Sequence, residues 1–151
     1  MPVSVRAQRS DALVAAAAGD FNPLRLLIVR AARAVLRHHG VGDAELSVTL
    51  LADDEIAAMN AQFLSHEGVT DVISFALYDD GEPPVGDIYI GWHQAQRQAA
   101  QNGVSINEEM ARLTIHGVLH VLGHDHPDDA QRLTSPMWHT QEEILARVRL
   151  S

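Results

Sequence analysis

The chain contains no cysteine and no lysine. The first absence excludes disulfides, thiolate metal ligands and a cysteine nucleophile, so a metal site here must use His, Asp and Glu. It is also compatible with a reducing cytoplasm. The second absence leaves arginine alone to answer the acids: 11 basic side chains stand against 20 acidic ones, a formal charge of −9. Proteins held by broad phosphate contacts are usually basic. Any nucleic-acid contact must therefore be local, or helped by the charge of a metal. Aromatic residues make up only 5% of the chain, so its core must be aliphatic and alanine-rich. No stretch approaches the roughly 20 apolar residues of a membrane span, so no membrane contact is expected. The run from Ala12 to Ala18, bounded by Asp11 and Asp20, is too short and too alanine-rich for a secretory signal.

What remains is a globular composition, 46% hydrophobic over 151 residues, which fits a single domain spanning 1–151. Val3, Val5 and Ala7 alternate as a first strand, and residues 10–20 read as a connection. Asn22 is placed to cap a helix with Pro23 in its first turn. Leu24, Leu27, Ile28, Ala31, Ala34 and Val35 form its apolar stripe, and Gly40 ends it. Residues 45–51 read as a second strand. Asp53 is expected to cap a helix running to about Leu64, with Ile56, Met59 and Phe63 inward. Residues 71–77 and 87–92 read as a hairpin pair across a proline-containing turn, followed by a polar helix to about Asn102. Ser105 and Glu108 form a capping-box pattern. They open a helix to Leu122 that is apolar on most sides and therefore central and buried. A last helix spans roughly 136–150. This order predicts an α/β (α+β) fold: a small mixed four-stranded sheet packed with about five helices, with a metal site on the central buried helix.

That site rests on placement. Of the nine His, four lie between positions 116 and 126. His116 and His120 are one turn apart on one helical face, so both can reach a single ion. Gly123 lets the chain leave the helix through a turn that glycine enters cheaply. His124 and His126 compete for the third place. The spacing favours His126, which has more chain in which to swing back. Ordinary core histidines are the plain alternative, but several buried imidazoles without a shared partner would each cost desolvation. Three imidazole nitrogens suit one Zn²⁺ per chain and leave a position for a metal-bound water. Nickel or another transition metal would also be accepted. Such a site is a hydrolase's equipment.

The spacing matches the metzincin protease motif, and Met137 resembles a Met-turn, but the general-base Glu of that motif is replaced by Gly117. The segment His116-Gly-Val-Leu-His120-Val-Leu-Gly123-His124-Asp125-His126 instead resembles the YbeY family of metal-dependent bacterial endoribonucleases of ribosomal RNA maturation. It follows that family's H-G-x-L-H-x-x-G-x-D-H pattern without departure. Residues 70–75 (TDVISF) and 86–90 (GDIYI) agree, as do Met137 and Glu142-Glu143. The resemblance covers about residues 45 to 148. It implies zinc held by His116, His120 and His126, with His124 at an unreserved position. It implies a cytoplasmic nuclease, a hydrolase of phosphoester bonds, acting on ribosomal RNA in 16S 3′-end processing and in ribosome quality control. Ribosomal RNA and the ribosome are the implied partners, with a ribosomal protein or GTPase as a further candidate.

One departure stands out. The family usually carries an arginine at the end of N-x-x-[FY]-R, where this chain has Asn60-Ala-Gln-Phe63-Leu64. Arg30, Arg33 and Arg37 on one helix face, Arg97 and Arg112 are the candidate substitutes, with a solvated helix face the plain reading of the first three. Asp125 is a candidate to hold a ligand imidazole or to act as a base, against a plain role at the helix exit. Asp87 follows Gly86 at the start of a strand, where a turn role is the plain reading, and no spacing makes it a metal ligand. Two alternatives to the nuclease stand: a ribosome-associated assembly factor with a mainly structural metal, and a metzincin-like metallohydrolase.

Overall fold

A computed structural model of the chain describes residues 2–16, 19–124 and 135–150. The elements run β1 (Val3–Arg9), α1 (Asp11–Ala16), α2 (Asn22–His38), β2 (Ala44–Leu51), α3 (Asp53–Leu64), β3 (Val72–Ala76), β4 (Val85–Gly91), α4 (Trp92–Asn102), α5 (Ile106–Val121) and α6 (Pro136–Leu145). The sheet order is β1-β2-β4-β3. β1, β2 and β4 are parallel, and β3 joins antiparallel to β4 as the expected hairpin partner. Parallel strands need a crossover, and α2 supplies it between β1 and β2. The mixed α+β sheet is as the sequence predicts.

Alternation along β4 separates the two faces. Ile88 and Ile90 face the main core with α2 and α5, while Tyr89 packs with Phe75 around Leu51, Ile56 and Ile73 under α3. α5 lies across the first face and buries Met110, Leu113, Ile115, Val118 and Leu119 against α2, β3, β4 and α6. Two glycines set how close it comes. A Cβ on Gly117 would stand 2.7 Å from Cγ2 of Ile88, and one on Gly86 would stand 2.6 Å from Cγ1 of Val121. Each position is thus filled by a side chain from the opposite element. Tyr78 adds a hydroxyl donated to the Val121 carbonyl at 2.6 Å.

Several local expectations are corrected. Residues 10–20 are not all connection: α1 forms there because Leu13 is buried and Ser10 accepts the Val14 and Leu13 N–H groups on its carbonyl and hydroxyl oxygens. Asn22 does not cap α2. Its side-chain oxygen is taken by Arg25, and its own N–H is held by Asp20. Ala52, not Asp53, precedes α3. Glu55 reaches back to the Ala52 N–H while Asp53 pairs with Arg97. Phe63 is 57% exposed rather than inward, its ring edge-on to Phe75 at 5.5 Å. The last helix ends at Leu145, and six helices are present among the described residues. No helix of the described residues is long and apolar enough to cross a membrane.

Candidate metal centre and cleft

Ser105 starts α5, its hydroxyl accepting the Glu108 N–H. His116 and His120 follow on one face, as the four-residue spacing requires. Their Nε2 atoms stand 3.1 Å apart and their rings cross at 73°. Two nitrogens about 2.0–2.1 Å from one tetrahedral ion would stand roughly 3.3 Å apart, so the pair fits two ligands of a single metal. Among the described residues no group of three His, Asp or Glu gathers that could hold an ion. His126, the expected third ligand, and Asp125 lie outside the described residues.

The orientation of His116 has an identifiable cause. Its Nδ1 meets Oε1 of Gln141 on α6 at 2.7 Å. An amide oxygen can only accept, so this contact puts the proton on Nδ1 and leaves the Nε2 lone pair toward His120. The amide is itself oriented, since Gln141 Nε2 donates to Glu142 at 3.1 Å. Arg112 of α5 then grips Glu142 with two bonds of 3.0 Å and reaches Glu108 at 3.1 Å. Burial works against ionisation of Glu142, but hydrogen bonds from Arg112 and Gln141, with the Arg112 charge, outweigh it and hold the carboxyl below its ordinary value. Gln141 is the residue that sequence reasoning missed. No spacing rule links position 116 to 141, because the contact exists only once α6 is docked on α5.

Both histidines open into a cleft of about 1040 Å³. β3 forms one side through Val72, Ser74 and Ala76, and α5 and α6 contribute Arg112, Trp138 and Gln141. Ser74 donates its hydroxyl to the Gly117 carbonyl at 3.1 Å, which ties the strand to the helix beside His116. Farther along α5, Glu109 is buried with Oε2 unpartnered. Burial pushes its carboxyl above the ordinary value, Arg112 opposes this, and Asp71 adds to it.

The other candidates go elsewhere. The His124 ring lies 4.9 Å from His39 at the end of α2, and His124 is not among the described residues lining the cleft. His39 is shifted down by burial and by its neighbours His124 and His38. Asp87 sits within β4, accepting the Ser47 hydroxyl at 2.7 Å. Arg30 and Arg33 donate to the carbonyls of Arg149 and Val3, tying down the chain ends, and Arg37 is exposed on the same helix. Arg97 is engaged by Asp53. Of the five arginines considered, only Arg112 lines the cleft, and Leu64 lines it too.

Comparison with known proteins agrees with this architecture. A family model described as "Endoribonuclease YbeY" matches residues 18–149. A protein of that name from Pelotomaculum thermopropionicum is 39% identical over 134 residues, covering 83% of this chain and 86% of its own. One from Bacillus licheniformis is 43% identical over 124 residues, covering 74% and 77%. The solution structure of TM1509 from Thermotoga maritima superposes with a TM-score of 0.64 at 25% identity, over 95% of this chain and 88% of that one.

Proposed function

Because the chain belongs to the endoribonuclease YbeY family, we propose that its cleft cuts single-stranded RNA around one zinc ion held by His116, His120 and His126. The observation that carries this reading is the convergence of two imidazole Nε2 atoms at 3.1 Å inside an open cleft. Zinc at that point would supply a Lewis acid for a phosphoryl oxygen of the scissile diester. Nickel or another imidazole-binding metal would also be accepted. The chain's own residues do the rest. Gln141 holds the Nδ1 proton of His116, which leaves the ligating lone pair on Nε2, the atom turned toward His120. Arg112 and Glu142 keep the Gln141 amide from turning over. The cleft admits an extended strand, and the attacking oxygen is a water or a substrate hydroxyl. Asp125 is proposed to steady a ligand imidazole or to take the proton of that water.

The same reading makes the chain a cytoplasmic factor of ribosomal RNA maturation. Its actions would be 16S 3′-end processing and ribosome quality control, with the ribosome and a ribosomal protein or GTPase as partners. It is tested on single-stranded RNA with zinc-loaded protein and its His120→Ala variant. Cutting by the first and not the second is expected; equal cutting by both overturns the proposal.

Leu64 in the cleft supports a second reading, a ribosome-associated assembly factor with a mainly structural metal. It predicts ribosome co-sedimentation without cleavage, and unfolding when the metal is removed. A metzincin-like peptidase is disfavoured by packing. A Glu at position 117 would begin with a Cβ 2.7 Å from Ile88, so the missing base has no room.

A further inference from the structure

Among its described lining residues the cleft carries little free positive charge for holding an RNA backbone. Arg112 is the one arginine or lysine among its described lining residues, and Glu142 and Glu108 already take its guanidinium. Asp71 lines the same cleft and would repel phosphate. Leu64, at its rim, is 42% exposed and offers no hydrogen bond. What the cleft does offer beside the histidines is an aromatic side chain, Trp138. Trp138 lies on the first turn of α6, half-buried, three positions before Gln141 and on the same helical side, and both line the cleft with His116 and His120. Its main-chain N–H is held at 3.1 Å by the Ser135 hydroxyl that caps α6, which fixes the start of the helix carrying it. A nucleobase presents a neutral π-face that such a ring can stack on whatever the sequence.

We propose that Trp138, with Leu64 at the rim, forms a nucleobase-stacking subsite next to the metal centre, so that this chain grips RNA by an unpaired base rather than by its phosphates. The proposal rests on the nuclease reading for the identity of the ligand as RNA. It specifies unpaired nucleotides, because a base inside a duplex has no free face. It also accounts for Leu64: where the grip is on the base, the rim needs apolar surface rather than an arginine.

The test uses the full zinc-loaded chain with Trp92→Phe, so that Trp138 is its single tryptophan. Short oligo-A, oligo-U and a blunt duplex of equal length are mixed by stopped flow, and fluorescence is read within the first turnover. Quenching by both single strands, stronger with oligo-A, and none with the duplex is expected. In the Trp92-containing chain, Trp138→Ala should weaken oligo-A binding roughly 5- to 100-fold, the range of one base–aromatic stack. Trp138→Phe should restore most of it, and Trp138→Leu should not. The slope of log Kd against log salt should stay near about 1, as for one or two phosphate contacts on a single strand. Unchanged binding by Trp138→Ala, equal binding by the Leu and Phe variants, or a steep salt slope overturns the proposal. Quenching without any cleavage leaves the stacking subsite standing and removes the nuclease reading. Cleavage with wild-type binding by Trp138→Ala does the reverse.

Discussion

Replacing Gly117 with alanine should weaken the protein, although the same change in most helices strengthens it. Alanine is favoured over glycine in a helix interior by about 0.8–1.0 kcal/mol. Here the new methyl would stand 2.7 Å from Ile88 Cγ2, 3.1 Å from Ser74 Oγ and 3.4 Å from Ile88 Cγ1. Carbon atoms rest at about 3.5–4.0 Å, so the nearest contact is short by roughly 1 Å. Ile88 is fully buried within the main core. Overpacking of this kind costs about 1–3 kcal/mol, which leaves a net loss of about 0–2 kcal/mol. Urea unfolding followed by circular dichroism reads this as a lower midpoint at unchanged slope. The decisive form is a double-mutant cycle. Ile88→Ala alone should cost about 2–5 kcal/mol. On that background Gly117→Ala should become neutral or stabilising, a coupling of about 1–3 kcal/mol between the two sites. If Gly117→Ala gains the full helix-propensity increment in the otherwise unchanged protein, the close approach of α5 to β4 is refuted.

Gln141→Leu should lower zinc affinity about 10- to 100-fold, the usual effect of losing the partner of a ligand imidazole; chelator competition measures it, and unchanged affinity would contradict the orientation argument. Glu142→Gln should be less stable than the parent at neutral pH. Because the Glu142 carboxyl is held below its ordinary value, its contribution is complete above that value and disappears as pH falls through the lowered one, so urea midpoints should converge in acid. Glu109→Gln should behave oppositely. The Glu109 carboxyl is raised by burial, so its cost is absent in acid and grows as pH rises through the raised value. The variant's gain in thermal midpoint should therefore grow from acid to neutral pH, and a pH-independent gain would count against a buried, reluctant acid.

Patterns that depend on neighbours in sequence were legible. Residues 87–92 read as a strand and β4 spans Val85–Gly91, and the four-residue step from His116 to His120 brought two nitrogens together. Features requiring a second element were not. Asn22 and Asp53 look like caps by residue type, yet Arg25 and Arg97 compete for their oxygens, and only the fold decides which partner is nearer. Phe63 reads as core by its spacing, but it falls in the last turn of α3 and stays mostly exposed, with only its contact to Phe75 tying the ring to the sheet. Gly117 could be seen as a missing base. That it makes room for Ile88 follows only from the packing.

The two glycine contacts also limit how the molecule can move. Ile88 enters α5 at Gly117, and Val121 enters β4 at Gly86. Two such pins, just over one helical turn apart, stop α5 from sliding along the strand or rolling on it without both disengaging at once. The histidines are therefore fixed in height above β4. α6 is held to α5 by the buried side chains of Met137, Ile144 and Leu145 as well as by the Arg112–Glu142 and His116–Gln141 contacts. Trp138 and Gln141 are thus carried by a helix seated in the same core as the histidines, so the walls of the cleft on α5 and α6 belong to one packed unit.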